Sequence, residues 1–262
     1  MCAILRFVAI ISAVILLSSA AYGATLGKAE LNIDWSSFVV TPVPDGQITT
    51  PRITWENLYS AVNAYTSQEV YMANWTSPIA AHTGNTGIIS ESTANVTTLY
   101  AYAKDISQED TAAGHWVSRG GEFSVEGTGN IELSVNYMWE ATLLSNVSGA
   151  KDQSFVDIYS NFQAETRYER RENRAAHDGI NIQLLAMFPS DIGVHQGGGT
   201  LKITVPVIDG DKFYFNLLGG TTANTLKPIP LPGSGVLLIF GLLTTFWGRF
   251  LTNCAIPLNF RK

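Results

Sequence analysis

Cysteine is almost absent from this sequence, and the two cysteines that it has lie near its ends. Among 262 residues only Cys2 and Cys254 are cysteine, and both belong to apolar terminal segments. The region between them therefore has no disulfide and no thiol chemistry, so a packed core must supply its stability. A chain of about 200 residues is long enough for one sizeable core, because it typically buries roughly 70% of its unfolded surface.

Positive charge is scarce in the central region. The chain has 16 basic and 22 acidic residues, and its terminal segments contain no acid. Four of the basic residues belong to those segments: Arg6, Arg249, Arg261 and Lys262. Residues 24–232 therefore have 12 basic and 22 acidic residues, a net charge of −10. Such a surface repels nucleic acid and anionic lipid, so we expect neither as a partner of this region.

The motifs of several enzyme and metal-binding classes are also missing. No HExxH, CxxC, GxSxG or P-loop pattern occurs. The histidines lack the spacing of metal ligands, which predicts four isolated surface residues: His82, His115, His177 and His195. The triplet Gly197-Gly198-Gly199 predicts a mobile loop. We therefore predict no catalytic residue, no metal site and no enzyme activity.

Paired carboxylates are the exception that keeps a hydrolase open as the least favoured function. Four glutamates lie on the strongest predicted strands, where residues at even spacing share a face: Glu122, Glu126, Glu132 and Glu140. Two carboxylates on one face could act as the acid/base pair of a glycosidase. The alternation of the strands favours a simpler interpretation, in which these glutamates are the solvated side of amphipathic strands.

The N-terminus has the pattern of a secretory signal peptide. Arg6 precedes an apolar run over residues 7–17, and small residues surround a cleavage position between Gly23 and Ala24. The alternative is an uncleaved membrane anchor. The apolar run is shorter than the ~20 residues that a spanning helix needs, which favours cleavage. We predict residues 1–23 as a signal peptide and export across a bacterial inner membrane.

The C-terminus has a proline-rich stretch, an apolar segment and then a cation. Prolines stand at 228, 230 and 232, residues 233–247 are largely apolar, and Arg249 lies where a cytoplasmic flank is expected. The prolines disfavour the alternative of a buried strand or helix of the globular domain, because they interrupt regular backbone pairing. We predict a transmembrane helix over about residues 233–251.

This order of elements resembles the sorting segment of PEP-CTERM proteins, which are bacterial substrates of exosortase. In Pro230-Leu231-Pro232 a leucine stands where the family motif has glutamate, and Arg249 stands for the usual arginine cluster. The resemblance covers residues 228–262. It implies that an exosortase-type processing enzyme recognises Pro230, Leu231 and Pro232. The membrane-anchored domain would then be released to the cell surface or the extracellular matrix.

Alternation of apolar and polar residues at period two dominates the region between these segments. Such runs occur over residues 30–40, 47–55, 93–103, 122–127, 130–143, 154–162, 180–187, 200–207 and 212–218. Residues 127–130 and the Asp209-Gly210-Asp211 hairpin are predicted turns. One short helix is expected within residues 53–70. We predict one all-β domain over residues 24–227, a two-sheet antiparallel β-sandwich of the jelly-roll kind.

Two groups of residues are weak candidates for ligand binding. Asp209 and Asp211 are candidate calcium ligands, although a tight turn requires the same residues. The aromatic residues of this region could stack on sugar rings, although core filling is the expected role of most of them. The main ones are Trp35, Trp55, Trp75, Trp116, Trp139, Tyr59, Tyr65, Tyr71, Tyr100 and Tyr102. The arginines of residues 167–174 are interleaved with glutamates, which predicts a self-neutralised edge or loop.

The sequence therefore predicts an exported, non-catalytic protein with a structural or adhesive role in exopolysaccharide or biofilm. No cofactor is expected, apart from the calcium alternative. The second hypothesis is a carbohydrate-binding module, calcium-dependent or not, with extracellular polysaccharide as the partner. An exposed row of Trp and Tyr would favour that module. Two carboxylates roughly 5 to 10 Å apart in a cleft would favour a hydrolase.

Overall fold

The computed structural model describes the central part of the chain. The described residues are 25–43, 50–64, 69–85, 87–106, 112–144, 154–166, 174–186 and 189–225. The predicted signal peptide and sorting segment lie outside them, and so do Gly23, Ala24, Pro230, Leu231, Pro232 and Arg249. Within the described part, no helix has the length and apolar character needed to cross a membrane.

Twelve strands and one short turn of 3₁₀-helix, Pro189–Asp191, make up the described fold. The strands are β1 (Leu26–Val43), β2 (Arg52–Ala64), β3 (Val70–Met72), β4 (Ile79–Gly84), β5 (Ile88–Ala94), β6 (Thr98–Asp105), β7 (Ala112–Glu126), β8 (Gly129–Leu144), β9 (Ser154–Thr166), β10 (Ala175–Leu185), β11 (Gly193–Val207) and β12 (Lys212–Thr225). The first sheet has the order β11-β8-β1-β6-β5-β4, and the second has the order β10-β9-β12-β7-β2-β3.

The inward faces of the two antiparallel sheets share one hydrophobic core. Alternate residues of β1, among them Leu31 and Ile33, are fully buried, and so are Phe213 and Phe215 of β12 in the facing sheet. Each such side chain contributes about 1.5–3 kcal/mol when it leaves water. This packing confirms the all-β, two-sheet antiparallel sandwich that the period-two alternation predicts.

The predicted short helix is wrong for residues 53–64, which form most of β2. This strand pairs with β7, but its register shifts between Glu56 and Tyr59, where Asn57 adopts a φ of +48°. The shift is a β-bulge, which places an extra residue in one strand of the pair. Because the bulge interrupts the alternation of apolar and polar residues, the sequence pattern of β2 does not show period two beyond residue 55.

The predicted hairpin at Asp209-Gly210-Asp211 is also wrong. The turn joins β11 of the first sheet to β12 of the second, so the two strands are not hydrogen-bonded neighbours. The turn at Gly127 likewise crosses from β7 to β8 between the sheets. Asp209 Oδ1 accepts a hydrogen bond of 2.7 Å from the Gly127 amide, which joins the two crossings at one end of the sandwich.

The glycine triplet lies inside a strand, so the mobile loop predicted for it is wrong. Gly197 and Gly199 belong to β11 and pair with Trp139 and Tyr137 of β8. A Cβ at Gly197 would lie 2.7 Å from the indole nitrogen of Trp139, and one at Gly199 would lie 3.0 Å from the hydroxyl of Tyr137. The aromatic rings fill the space over the glycines, which compensates for their missing side chains.

Candidate functional site

A row of outward side chains crosses the first sheet. In β1 Leu31 turns into the core, so its neighbour Glu30 turns outward. The strand register places Glu30 opposite Tyr102 of β6 on one side and opposite Glu140 of β8 on the other. Glu140 in turn lies opposite Gln196 of β11. Directly opposed residues have Cβ atoms about 4.5–5.5 Å apart, so these side chains are in reach of one another.

A groove of about 570 Å³ lies on this outer face. The strands β1, β6, β8 and β11 supply its lining. Six of the lining side chains extend from the outward positions of these strands: Glu30, Asn32, Tyr100, Met138, Glu140 and Gln196. Gly197 and Gly198 also line the groove. Gly198 is exposed, whereas the ring of Trp139 covers Gly197.

Lys28 joins the two carboxylates of the groove. Its Nζ lies 3.1 Å from Oε1 of Glu30 and 3.2 Å from Oε1 of Glu140. Burial alone lowers the pKa of Lys28, but hydrogen bonds to both glutamates and their negative charges outweigh burial and raise that pKa. The Nζ also lies 5.9 Å from the ring centroid of Tyr102, within cation–π range. The two glutamates that line the groove are therefore held in a cluster with one cation.

Two parallel tyrosine rings border this cluster. The rings of Tyr100 and Tyr102 have centroids 6.4 Å apart and an interplanar angle of 10°. Burial raises the pKa of Tyr100, and the negative charge of Glu30 raises that pKa further. Burial also raises the pKa of Tyr102, although Lys28 opposes this. Both phenols therefore stay protonated at neutral pH and remain hydrogen-bond donors.

The groove combines polar groups with apolar surface. Carboxylates accept hydrogen bonds, while the amides of Asn32 and Gln196 both donate and accept them. Met138 is 66% exposed and, with Tyr100 and Trp139, supplies the apolar contact area. A concave surface with a few convergent polar groups is the usual form of a small-ligand site. The chemistry suits a ligand that has many hydroxyl groups and apolar ring faces.

Comparison with known proteins identifies no relative. No protein-family model matches the chain, and neither a curated protein nor a solved structure matches it. The interpretation of the groove therefore depends on the residues of this chain and their geometry.

The two candidate calcium ligands contact protein groups in the turn that crosses between the sheets. Asp211 is 5% exposed, and its carboxylate oxygens lie 2.8 Å and 2.7 Å from Nη2 of Arg174. It also accepts a 2.6 Å hydrogen bond from the Ile208 amide. Among the described residues, no group of three or more His, Cys, Asp or Glu side chains is placed to hold a metal ion. Calcium at Asp209 and Asp211 stays a prediction.

One of the four predicted surface histidines is buried. His115 is 4% exposed, and its ring nitrogens lie 2.8 Å from Ser90 Oγ and 3.2 Å from Thr221 Oγ1. Burial lowers its pKa to about 3. His82 and His177 are exposed. The position of His115 between the inward residues Ala113 and Val117 is the sequence signal that indicates burial.

Only one of the four glutamates expected on strand surfaces lies in the groove. Glu140 lies opposite Glu30, which is not one of the four predicted candidates. Glu132 lies farther along the same face of β8 and forms an ion pair of 2.6 Å with Lys202. Glu122 and Glu126 belong to β7 in the second sheet. Finding the pair required the register between β1 and β8, whose residues are about a hundred positions apart in the chain.

Core filling explains three of the tryptophans. Trp35, Trp55 and Trp75 form an aromatic cluster together with Phe38 and Phe215. Within it, Trp35 stacks on Phe38 with centroids 4.4 Å apart. These rings supply no exposed row on the groove side. The predicted charged edge at residues 167–174 lies outside the described residues except for Arg174, which binds Asp211.

Proposed function

We propose that this protein is exported by a bacterium and binds extracellular polysaccharide through the groove of its first sheet. There it is a non-catalytic structural or adhesive component of an exopolysaccharide matrix or biofilm. The observation that carries the proposal is the groove, where two carboxylates, two amides and a phenol surround exposed apolar surface. Sugars present hydroxyl groups and an apolar ring face, and this combination matches both.

The charges of the groove favour one class of polysaccharide. Glu30 and Glu140 outnumber Lys28, and the central region of the chain has an excess of acids. A polyanionic chain would meet like charge here, which costs binding energy. The ligand that fits best is therefore an uncharged polysaccharide.

The proposal for sorting depends on the terminal sequences. A signal peptide over residues 1–23 would direct export, and residues 228–262 would anchor the domain in the inner membrane until an exosortase-type enzyme processes it. A sandwich of the jelly-roll kind would then be released to the cell surface or matrix. This location would place the groove among extracellular polysaccharides.

A glycoside hydrolase is the second candidate, favoured by one observation. Because both Oε1 atoms lie within 3.2 Å of the same lysine nitrogen, the two carboxylates are no more than about 6.3 Å apart, the sum of the two distances. Retaining glycosidases hold their two carboxyl groups about 5–5.5 Å apart. Lys28, however, occupies the space between them that the scissile sugar would need. Binding without cleavage is therefore the proposed function.

The test compares two glutamate variants that lie on the same face of β8. Glu140→Gln removes a groove carboxylate, whereas Glu132→Gln removes one that also pairs with a lysine but lies outside the groove. Affinity electrophoresis and calorimetry against a panel of soluble polysaccharides measure binding. We expect Glu140→Gln and Tyr100→Ala each to weaken binding about 10-fold or more, the first through loss of a charge-assisted hydrogen bond and the second through loss of an aromatic contact.

The controls separate the possible results. Glu132→Gln should bind as the unchanged protein does, and no new reducing ends should appear during incubation. An equal loss of binding affinity in both glutamate variants would exclude the groove as the binding site. Release of reducing ends that Glu140→Gln abolishes would replace the binding proposal with the hydrolase.

A further inference from the structure

The outer face of the second sheet has a chemistry different from that of the groove. Three adjacent rows of outward residues cross it, and the middle row contains Leu218 and Ser118. The row on one side contains Asn181, Tyr159, Gly220, Trp116 and Asn63, in that order across five strands. The row on the other side contains His177, Gln163, Asn216, Gly120 and Tyr59, in that order across the same strands. We call these three rows the tyrosine–glycine face.

Tyr159 leans over a glycine in the centre of this face. A Cβ at Gly220 would clash with the hydroxyl end of the Tyr159 ring, so the ring lies across β12 instead of standing away from the sheet. Trp116 occupies the next position of the same row on β7. Aromatic rings therefore lie on both sides of a glycine, with amide side chains at the two ends of the row. Burial raises the pKa of Tyr159, and the negative charge of Asp157 raises it further, so its phenol stays protonated.

The same arrangement occurs a second time on the face. The ring of Tyr59 in β2 occupies the space over Gly120 of β7. Its hydroxyl lies 2.5 Å from that of Tyr214 and donates a 3.2 Å hydrogen bond to Asn216. Tyr71 stacks beside it, with centroids 5.7 Å apart. Since Gly220 and Asn216 are four residues apart on β12, the two tyrosine rows are separated by about 13 Å.

The face is uncharged across its centre. The three rows contain no Asp, Glu, Lys or Arg among the positions that the structure describes. Five of those positions are amides: Asn63, Asn161, Gln163, Asn181 and Asn216. Ring faces combined with planar amides recognise sugar hydroxyls and their apolar ring faces. The absence of charge matches an uncharged polysaccharide and gives no partner for a sulfated or carboxylated one.

We propose that the tyrosine–glycine face is a second polysaccharide-binding surface, and that the protein cross-links two chains, one bound to each sheet. The cross-linking part rests on the proposed function of the groove, whereas the second surface stands on its own residues. The two sites lie on opposite outer faces of one sandwich, so one polysaccharide chain does not block the other. Two linked sites raise avidity without a new contact and join separate chains into a network.

The experiment uses the exported chain and two uncharged probes, a soluble β-glucan and a galactomannan, with alginate as the anionic comparison. Calorimetry measures binding stoichiometry, and light scattering measures cross-linking. Tyr159→Ala should weaken binding at the second surface about 10-fold and abolish the rise in scattering, because one stacking platform is lost. Tyr159→Phe keeps the ring and should retain at least half of the scattering. Thermal unfolding of both variants separates loss of binding from loss of fold.

Combination with the groove variant Glu140→Gln distinguishes the two proposals. If each single variant still binds at one site and the double variant does not bind, both sites are supported. If Tyr159→Ala binds and cross-links as the unchanged protein does, the second surface is overturned and the groove stands. If Tyr159→Ala alone abolishes all binding, the second surface stands, but cross-linking and the groove are both overturned. Equal binding of alginate would overturn the assignment to uncharged chains.

Discussion

Arg119 is a buried cation that reaches from the second sheet to the first. It is fully buried, donates to Ser60 Oγ at 3.2 Å and to the backbone oxygen of Asn95 at 2.6 Å, and lies 4.9 Å from the Trp35 ring centroid. Burial lowers its pKa to about 10, so it remains charged at neutral pH. Its Nη1 has no hydrogen-bond partner in the described part of the chain. The cation is therefore held mainly by neutral groups and an aromatic face.

Asn95 shows how one side chain prepares the contact of another. Its Oδ1 accepts hydrogen bonds from the amides of Thr97 and Thr98, both at 2.9 Å, in an Asx turn. Asn74 forms the same turn with Thr76 and Ser77. The Asx turn at Asn95 fixes the backbone at the point where its carbonyl oxygen accepts from Arg119. The sequence pattern Asn-x-Thr at both positions is thus explained by the geometry of a turn.

The burial of His115 should make the free energy of unfolding depend on pH. Its pKa is about 3 in the folded protein and 6.5 in the unfolded chain, so unfolding takes up a proton between these values. The stabilisation by neutral His115 is complete above pH 6.5 and is lost as pH falls toward 3. At about 1.4 kcal/mol per unit, the loss at pH 5 is about 2 kcal/mol. Urea unfolding at pH 7 and pH 5 measures it.

His115→Gln is the matched control, because glutamine has hydrogen-bonding groups but does not titrate. The variant should lose about 2 kcal/mol less than the unchanged protein between pH 7 and pH 5. The other titrating groups contribute equally to both proteins. An identical loss in both would show that His115 is not the group responsible.

Strands show which parts of the fold a sequence pattern reveals. β1, β8 and β12 alternate strictly over most of their length, and period two predicted them. The alternation fails in β2 at its bulge and in β11 at its glycines, and these were the segments interpreted as helix and loop. The reason is physical: in both cases a neighbouring strand determines the local structure, through a bulge in one and through covering aromatic rings in the other.

The pairing of glycine with aromatic rings predicts that two glycine-to-alanine changes will differ in their effect on the stability of the fold. A Cβ at Gly197 would meet the Trp139 ring at 2.7–2.9 Å, whereas one at Gly114 of β7 would meet Thr222 at an ordinary 3.4 Å. We expect Gly197→Ala to destabilise the fold by about 1–3 kcal/mol, as overpacking does. Gly114→Ala should change stability by about 1 kcal/mol at most, and in the stabilising direction. Thermal or urea unfolding checks both, and equal effects would contradict the steric explanation.

At the scale of the whole molecule, the sequence indicated two sheets but not which strands belong to each. The turns at Gly127 and at Asp209-Gly210-Asp211 look like hairpin turns because tight turns of both kinds use Asp and Gly. Both instead cross between sheets. The groove depends on this assignment, since Glu30 and Glu140 meet only because β1 and β8 are neighbours in the first sheet. Local pattern therefore predicted the architecture, while the site required long-range pairing.

The location of the sandwich should depend on how the two termini are processed. If residues 228–262 are a sorting segment, a host with exosortase should release a form that begins near Ala24 and ends near Pro232. A host without exosortase should keep the anchored form. Mass spectrometry of the termini from membrane and medium fractions measures both.

Pro230→Ala with Pro232→Ala should prevent release, whereas Pro228→Ala, a proline outside the motif, should not. Retention of the C-terminus through Lys262 in both hosts would make the tail a permanent anchor, and polysaccharide bound by the domain would then be fixed to the cell envelope.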